Sequence, residues 1–235
     1  IISRDIALTT RLLQVANSVF YVGRNTISSV EEAAVRMGLA SIKDMIFAFS
    51  LISQFKWTGK QEQHLDEIVE HSSRVNACLK EVHKAKFGVS LKPEMDSIGI
   101  THDIGKVLLL QYFPDRYMEA AEKQARDPIL TFHDCECLLG HHGSTHSEIG
   151  AYFLDMWNLS DIMVEIALHH HKPEKAGEKH AGLVQALAFS DSLVEYLDGN
   201  NDPDDPGFPC SAKGYLREDD LRKIITGFQK EKIKV

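Results

Sequence analysis

The residues that most restrict how this chain can fold are an adjacent imidazole and carboxylate, His102-Asp103, set between the apolar segments Ile98-Gly99-Ile100 and Val107-Leu108-Leu109-Leu110. Neither side chain is cheap to bury alone, but side by side they can bind one divalent cation. A fold that buries this stretch must therefore bring further donors to it. Candidates lie far away in the chain: His71, His146, His169, His170, His171 and Asp191 each fall in a segment that reads as helix. Three consecutive histidines advance by about 100° per residue on a helix and cannot all face one point, whereas two neighbours can straddle a two-metal site. His64, His83, His133 and His180 lack such context and are expected to be solvated or ordinary core residues.

Capped helical patterns recur from end to end, with no useful run of alternating apolar and polar residues, so the expected class is all-α. The spacing predicts helices over residues 5–20, 28–37, 41–55, 61–87 and 93–103, with a bend at Gly105. Further helices are expected over 114–125, 131–142, 146–157, 160–171, 182–196 and 217–234. Ser28-Ser29 with Glu31 and Glu32 opens the second, and Gly38 and Gly88 serve as stops. Residues 200–214, rich in Pro, Asp and Gly, read as a surface loop whose oxygen ligands lack calcium-loop spacing. The expected organisation is a helical subdomain over 1–56, a metal-binding bundle over 57–198, and an acidic loop with a last helix over 199–235.

A length of 235 residues supports one large domain or two small ones with a proper core, and 43% hydrophobic with 26% charged residues is a soluble composition. The longest uncharged apolar run, Met45 to Phe55, falls well short of the roughly 20 residues a membrane span needs. A net charge of −8 argues against DNA, which calls for a basic face. Cys78, Cys135, Cys137 and Cys210 form neither a metal knuckle nor a disulfide framework, which points to a reducing cytoplasm. Cys135-Glu136-Cys137 reads as one helix turn facing two ways. No signal peptide stands at the start, and Ile1 in place of an initiator Met leads us to expect a fragment of a longer chain.

The run from Asp5 through Arg11-Leu12-Leu13-Gln14-Val15-Ala16-Asn17-Ser18, then Ile27-Ser28-Ser29-Val30-Glu31-Glu32-Ala33-Ala34 and Met37-Gly38, closely resembles the opening of HDOD domains, the HD-related output domains of bacterial signalling proteins. The resemblance continues through His71-Ser72, His102-Asp103-Ile104-Gly105, His146-Ser147-Glu148-Ile149-Gly150-Ala151, Trp157 and His170-His171-Lys172-Pro173, and ends near Asp191. It implies a short N-terminal helical subdomain packed on an HD-type helical bundle. Aligned this way, His146 joins the site, His170 and His171 form the pair, and His169 is left over.

The resulting inventory is His71, His102, Asp103, His146, His170, His171 and Asp191, with Glu67 as an addition. Mixed imidazole and carboxylate donors suit iron, manganese, nickel or zinc, and the set exceeds the need of one cation, so two ions bridged by Asp103 are expected. Glu67…His71-Ser72-Ser73-Arg74-Val75 and His102-Asp103-Ile104-Gly105-Lys106 also resemble the catalytic HD-GYP branch, in which such positions bind metal and phosphate during hydrolysis of cyclic di-GMP. That likeness implies catalytic roles for Asp103 and Lys106, and phosphate contacts from Lys106 and Arg74. Lys172-Pro173-Glu174-Lys175 stands where the Gly-Tyr-Pro signature would be, so that route of substrate recognition is absent. Two expectations follow. One is a regulatory module that contacts a signalling partner or a fused upstream domain; the other is a metal-dependent phosphohydrolase acting on a nucleotide or cyclic dinucleotide.

Overall fold

The computed structural model describes residues 12, 13, 16, 27–38, 42, 46, 56–92, 95, 98–127, 129–198 and 214–232. The predicted helices over 5–20 and 41–55 lie outside these residues except at single positions, as does the loop over 200–213. All-helical architecture is what the described residues show, with no β-strand among them. None of their helices is long and apolar enough to cross a membrane.

Local capping chemistry sets most boundaries. Helix α1, Val30–Met37, begins where the Ser29 hydroxyl accepts the Glu32 backbone N–H at 3.1 Å and Glu32 reaches back to the Ser28 N–H at 2.7 Å. Helix α2, Gly59–Phe87, starts with the Thr58 N–H donating to Gln61 at 3.1 Å and stops at Gly88, whose φ of 74° lies in the left-handed region. One face of α2 is buried along Leu65, Ile68, Ser72, Val75, Leu79 and Val82, a helical repeat that fixes which side meets the core.

The next two helices are short and almost wholly buried: α3, Ile98–Thr101, and α4, Ile104–Tyr112. They are separated at His102-Asp103, not bent at Gly105 as the sequence led us to expect. Asp103 caps α4 by position, with φ −100° and ψ 17°, yet its carboxylate makes no capping bond and so remains available to the interior. Gly99 lies against α2 and donates its N–H to Asn76 Oδ1 at 3.0 Å. Asn76→Ala should therefore leave that buried N–H unpaired and lower stability by about 1–3 kcal/mol, read from the urea midpoint.

Pro114 occupies the first turn of α5, Pro114–Arg126, and Thr131 with Asp134 boxes the start of α6, Phe132–Leu138. The same device, Thr145 with Glu148, starts α7, His146–Met156. Helix α8, Asp161–His169, stops one residue before His170, and a 3₁₀ turn at Pro173–Lys175 leads to α9, Ala181–Asp198, and then α10, Glu218–Lys232. Helix α9 packs on α2, α7 on both α4 and α8, and α3 on α2. Leu12, Ala16, Ile27, Ala33 and Ile42 are buried in the same apolar cluster as Leu79, Leu109 and Leu187, so the N-terminal positions share the core of the bundle.

Helices α4 and α7 approach at Gly105 and Gly150. A Cβ on Gly105 would stand 1.8 Å from the His146 carbonyl oxygen and 2.9 Å from the Gly150 nitrogen. This contact carries the first turn of α7, and with it His146, up against Asp103.

Candidate metal centre

Five separate segments converge where α3 gives way to α4. His71 comes from α2, His102 and Asp103 from the break, His146 from the first turn of α7, His170 and His171 from the turn after α8, and Asp191 from the middle of α9. His102, Asp103, His146, His170 and Asp191 are each no more than 4% exposed, and His71 and His171 are half-buried.

Asp103 is the hub. Its Oδ1 lies 3.3 Å from His146 Nε2 and 3.5 Å from His170 Nε2, while its Oδ2 lies 3.4 Å from His102 Nε2 and 3.8 Å from His71 Nε2. Asp191 Oδ1 sits 2.9 Å from His71 Nε2 and 3.6 Å from His102 Nε2. The two oxygens of one carboxylate thus face two separate groups of imidazoles.

The outward-facing ring nitrogens decide what the inner ones can do. His102 Nδ1 lies 2.7 Å from the Gly99 carbonyl, and His170 Nδ1 lies 2.9 Å from that of Ala167. A carbonyl only accepts, so both Nδ1 atoms must carry the proton. His146 Nδ1 donates likewise to Glu136 Oε2 at 2.6 Å, and the His146 backbone N–H donates to Glu136 Oε1 at 2.8 Å. In its neutral form each of these rings turns a bare lone pair inward. His146 Nε2 nevertheless lies 3.3 Å from His170 Nε2 and 3.1 Å from His171 Nε2. One proton can join two of these nitrogens but not three, whereas one cation satisfies all of them.

Two further atoms make the same demand, since His102 Nε2 and Asp103 Oδ1 are buried without a hydrogen-bond partner. The donor set, imidazole nitrogens around two carboxylates, is that of a divalent transition metal. Groups of three donors within 4.8 Å of one another include His71, His102 and Asp191, then His102, Asp103 and His170, and also His170, His171 and Asp191. These residues fit a metal.

Electrostatics divide the rings. Burial pulls His102 and His146 down, but Asp103 and Asp191 raise His102, and Asp103 and Glu136 raise His146. Without a cation these two hold a second proton more readily than a free imidazole, whereas burial lowers His170. Burial, and then the neighbouring His170 and His146, hold the His171 imidazole well below its usual range, so it is neutral and free to coordinate. Burial would raise the Asp103 carboxyl, but His102 and Lys106 outweigh it and keep Asp103 ionised. Lys106 is itself buried, and its ammonium donates to Asp103 Oδ2 at 2.6 Å. Burial opposes that charge, and Asp103 more than restores it.

Two sequence-predicted members do not join the cluster. Glu67 points outward from α2, with its carboxylate 55% exposed and bonded to Gln63 at 2.9 Å and His64 at 3.0 Å. Sharing a helix face with His71 was the reason to include it, but that face is wide enough to reach solvent. Arg74 pairs with Asp198, about two helical turns beyond Asp191 on α9.

Other residues belong to the site without having been expected there. Glu136 is fully buried beneath His146. The sequence held a signal for it, since Phe132, Cys135 and Glu136 fall at i, i+3 and i+4 and a carboxylate on an apolar stripe needs a donor. His133, expected as a solvated or ordinary residue, is only 7% exposed and stacks on His171 with ring centroids 4.7 Å apart. Burial and Asp191 also push the Glu195 carboxyl up to about 7, one turn along α9 from Asp191. Glu136→Gln should lower metal affinity by about 10- to 100-fold while the chain stays folded, because the partner that orients His146 loses its charge. Competition with a chelator of known affinity measures this.

Comparisons with known proteins come from three directions. The family model of the HDOD domain matches residues 1–173. An uncharacterized protein of Treponema pallidum (strain Nichols) is 25% identical over 199 residues, 85% of this chain, and the chain spans 38% of that relative's length. Among solved structures, an HDOD domain protein of unknown function from Geobacter sulfurreducens aligns with a TM-score of 0.66 at 21% identity, covering 99% of this chain and 81% of its own. A "Putative phosphohydrolase" of Shewanella amazonensis SB2B gives 0.63 at 19% identity, over 98% and 83%. The structural likenesses are of fold.

Proposed function

This chain belongs to the HDOD family, and from that premise we propose that it is a regulatory domain of bacterial signal transduction that holds a divalent transition metal in its helical bundle. The observation that carries this reading is the approach of His170 and His171 Nε2 to His146 Nε2, at 3.3 and 3.1 Å, a set of three nitrogens that one proton cannot bridge. Two ions are proposed. His71, His102, Asp191 and Asp103 Oδ2 would hold one; His146, His170, His171 and Asp103 Oδ1 would hold the other. Iron, manganese, nickel and zinc match such donors.

A second reading, a metal-dependent phosphohydrolase acting on a nucleotide or cyclic dinucleotide, has its own support. A cavity of about 410 Å³ has His170 and His171 in its wall, so the donor cluster borders space for a ligand rather than being sealed in the core. Bound metal would polarise a phosphoryl oxygen and acidify water. The chain's own residues hold that arrangement ready: Glu136 fixes the His146 ring, the Gly99 and Ala167 carbonyls fix His102 and His170, and Lys106 sets the Asp103 carboxylate. One Lys106 N–H is used in this way, leaving the other two for a phosphate oxygen.

Elemental analysis of protein purified without a chelating tag, with a phosphate-release screen over nucleotides and cyclic dinucleotides, tests both readings. Near-stoichiometric metal without turnover supports the regulatory domain. Turnover lost on chelation and restored by metal supports the enzyme. Protein that holds no metal under any loading condition sinks both.

A further inference from the structure

His133 stands outside the residues assigned to the two ions, yet it meets two of them. A ring nitrogen of His133, one of His146 and one of His171 all lie within 4.8 Å of one another. The His133 ring is nearly parallel to that of His171, with planes 18° apart, and nearly perpendicular to that of His146, at 84°. Two nitrogens bound to one tetrahedral zinc stand about 3.3 Å apart, so a small turn of the His133 ring closes a set of three imidazoles. Its hydrogen bonding is slight: Nε2 lies 3.6 Å from Cys137 Sγ, and Nδ1 is buried with no hydrogen-bond partner.

This set overlaps the one proposed for the second ion. With its Nδ1 committed to Glu136, the neutral His146 ring has one lone pair, on Nε2, and one lone pair serves one cation. An ion among His133, His146 and His171 therefore excludes an ion among His146, His170, His171 and Asp103 Oδ1. They are two positions for the same ion. The inner position is the stronger, because it alone includes a carboxylate, buried where attraction to a cation is little screened. Access favours the outer position instead. His133 and His171 are both in the wall of the cavity of about 410 Å³, with the exposed Asp134 adding a carboxylate to that wall, whereas Asp103 and His146 are not part of it.

We propose that His133, with His146 and His171, forms a transit position through which a divalent transition-metal cation passes between the cavity and the inner centre. The inference rests on reading the histidine cluster as a metal centre and adds the route to it. An arriving ion exchanges bound waters for His133, His171 and His146, and any second proton on His146 leaves to water as the cation binds. The bond to His133 then breaks while bonds to His170 and Asp103 form. His146 and His171 stay bound through this exchange, so the ion is never stripped of protein ligands between the two positions. A position used on the way in and on the way out changes both rates by one factor and leaves the equilibrium alone. Loss of a ligand to the resting ion would instead weaken binding and speed release.

The test mixes metal-free full-length chain with cobalt(II), a visible stand-in for zinc, in a stopped-flow absorbance experiment, and follows release by adding excess EDTA to the loaded protein. His133→Phe keeps a ring stacked on His171 and removes both nitrogens. It should slow uptake and release alike, by at least about tenfold, a modest rise in barrier, with stoichiometry and Kd as in the wild type. His133→Ala should be as slow, and free imidazole should restore its rates by entering the vacated space, while His133→Phe, whose ring fills that space, should not respond. A purely structural role for His133 predicts no such rescue. Unchanged rates in His133→Phe overturn the proposal, and so does faster release with weaker binding, which would make His133 a ligand of the resting ion. Wild type that binds neither cobalt nor zinc refutes the metal centre itself, whereas normal binding with unaltered kinetics in the variants refutes only the route.

Discussion

Asp103→Asn should leave the protein with less than about a tenth of its bound metal, because it neutralises the carboxylate whose two oxygens face the two groups of imidazoles. The substitution keeps the volume of a side chain that is 1% exposed, so packing is nearly unchanged and the effect is electrostatic. A second loss accompanies it. Lys106 donates to Asp103 at 2.6 Å from a buried position, and removing the partner strands its charge at a cost of about 3–5 kcal/mol. Thermal unfolding in excess chelator isolates that term from the loss of metal. Adding Lys106→Met should recover most of the stability without restoring metal. A single variant that keeps its metal, or a double variant no more stable than the single, would contradict the hub role of this carboxylate.

Gly105→Ala should be the most damaging methyl group in the described part of the chain. The new Cβ would sit 1.8 Å from the His146 carbonyl oxygen, 2.7 Å from its carbon and 2.9 Å from the Gly150 nitrogen. All three are backbone atoms of α7, so no side chain can rotate away and the helices must separate. Overpacking of ordinary cores costs about 1–3 kcal/mol, and a clash with backbone belongs at or above the upper end. Gly150→Ala is the control from across the same contact. Its Cβ would meet the Gly105 nitrogen at 3.0 Å and the Ile104 side chain at 3.4 Å, contacts that a few tenths of an ångström relieve. The expected result is a melting temperature much lower for the first than for the second, with metal affinity falling alongside because His146 moves with the first turn of α7.

Residue type and helical spacing carried most of this architecture. Thr131 with Asp134 and Thr145 with Glu148 are local signals, and helices begin where those pairs stand. His71, His102, Asp103 and Asp191 are polar residues set in otherwise apolar helical segments, whereas the assignment of His146 and the choice of His170 and His171 over His169 came from the HDOD resemblance; all seven meet at one place. Errors arose where a choice depends on angle rather than on spacing. Glu67 and His71 are four residues apart and share a helix face, yet about 40° of rotation between them separates solvent from interior. The chain break fell at His102-Asp103 and not at Gly105, because that glycine is required for the approach of α7 and not for a turn. Glu136 shows the opposite failure. Its stripe with Phe132 and Cys135 was present, but its partner His146 is ten residues away across a turn, and no local rule links the two.

The donors are dispersed from position 71 to position 191, on five segments with helices between them. A nascent chain therefore holds only fragments of the proposed site until α9, which carries the second carboxylate, has been made. Since a preformed site rarely exists before folding, binding of metal at the proposed centre would be a late step that awaits the docking of α9 on α2. Loading of the proposed centre would then track the metal available once α9 has docked on α2, and not what was present while the earlier helices were being made.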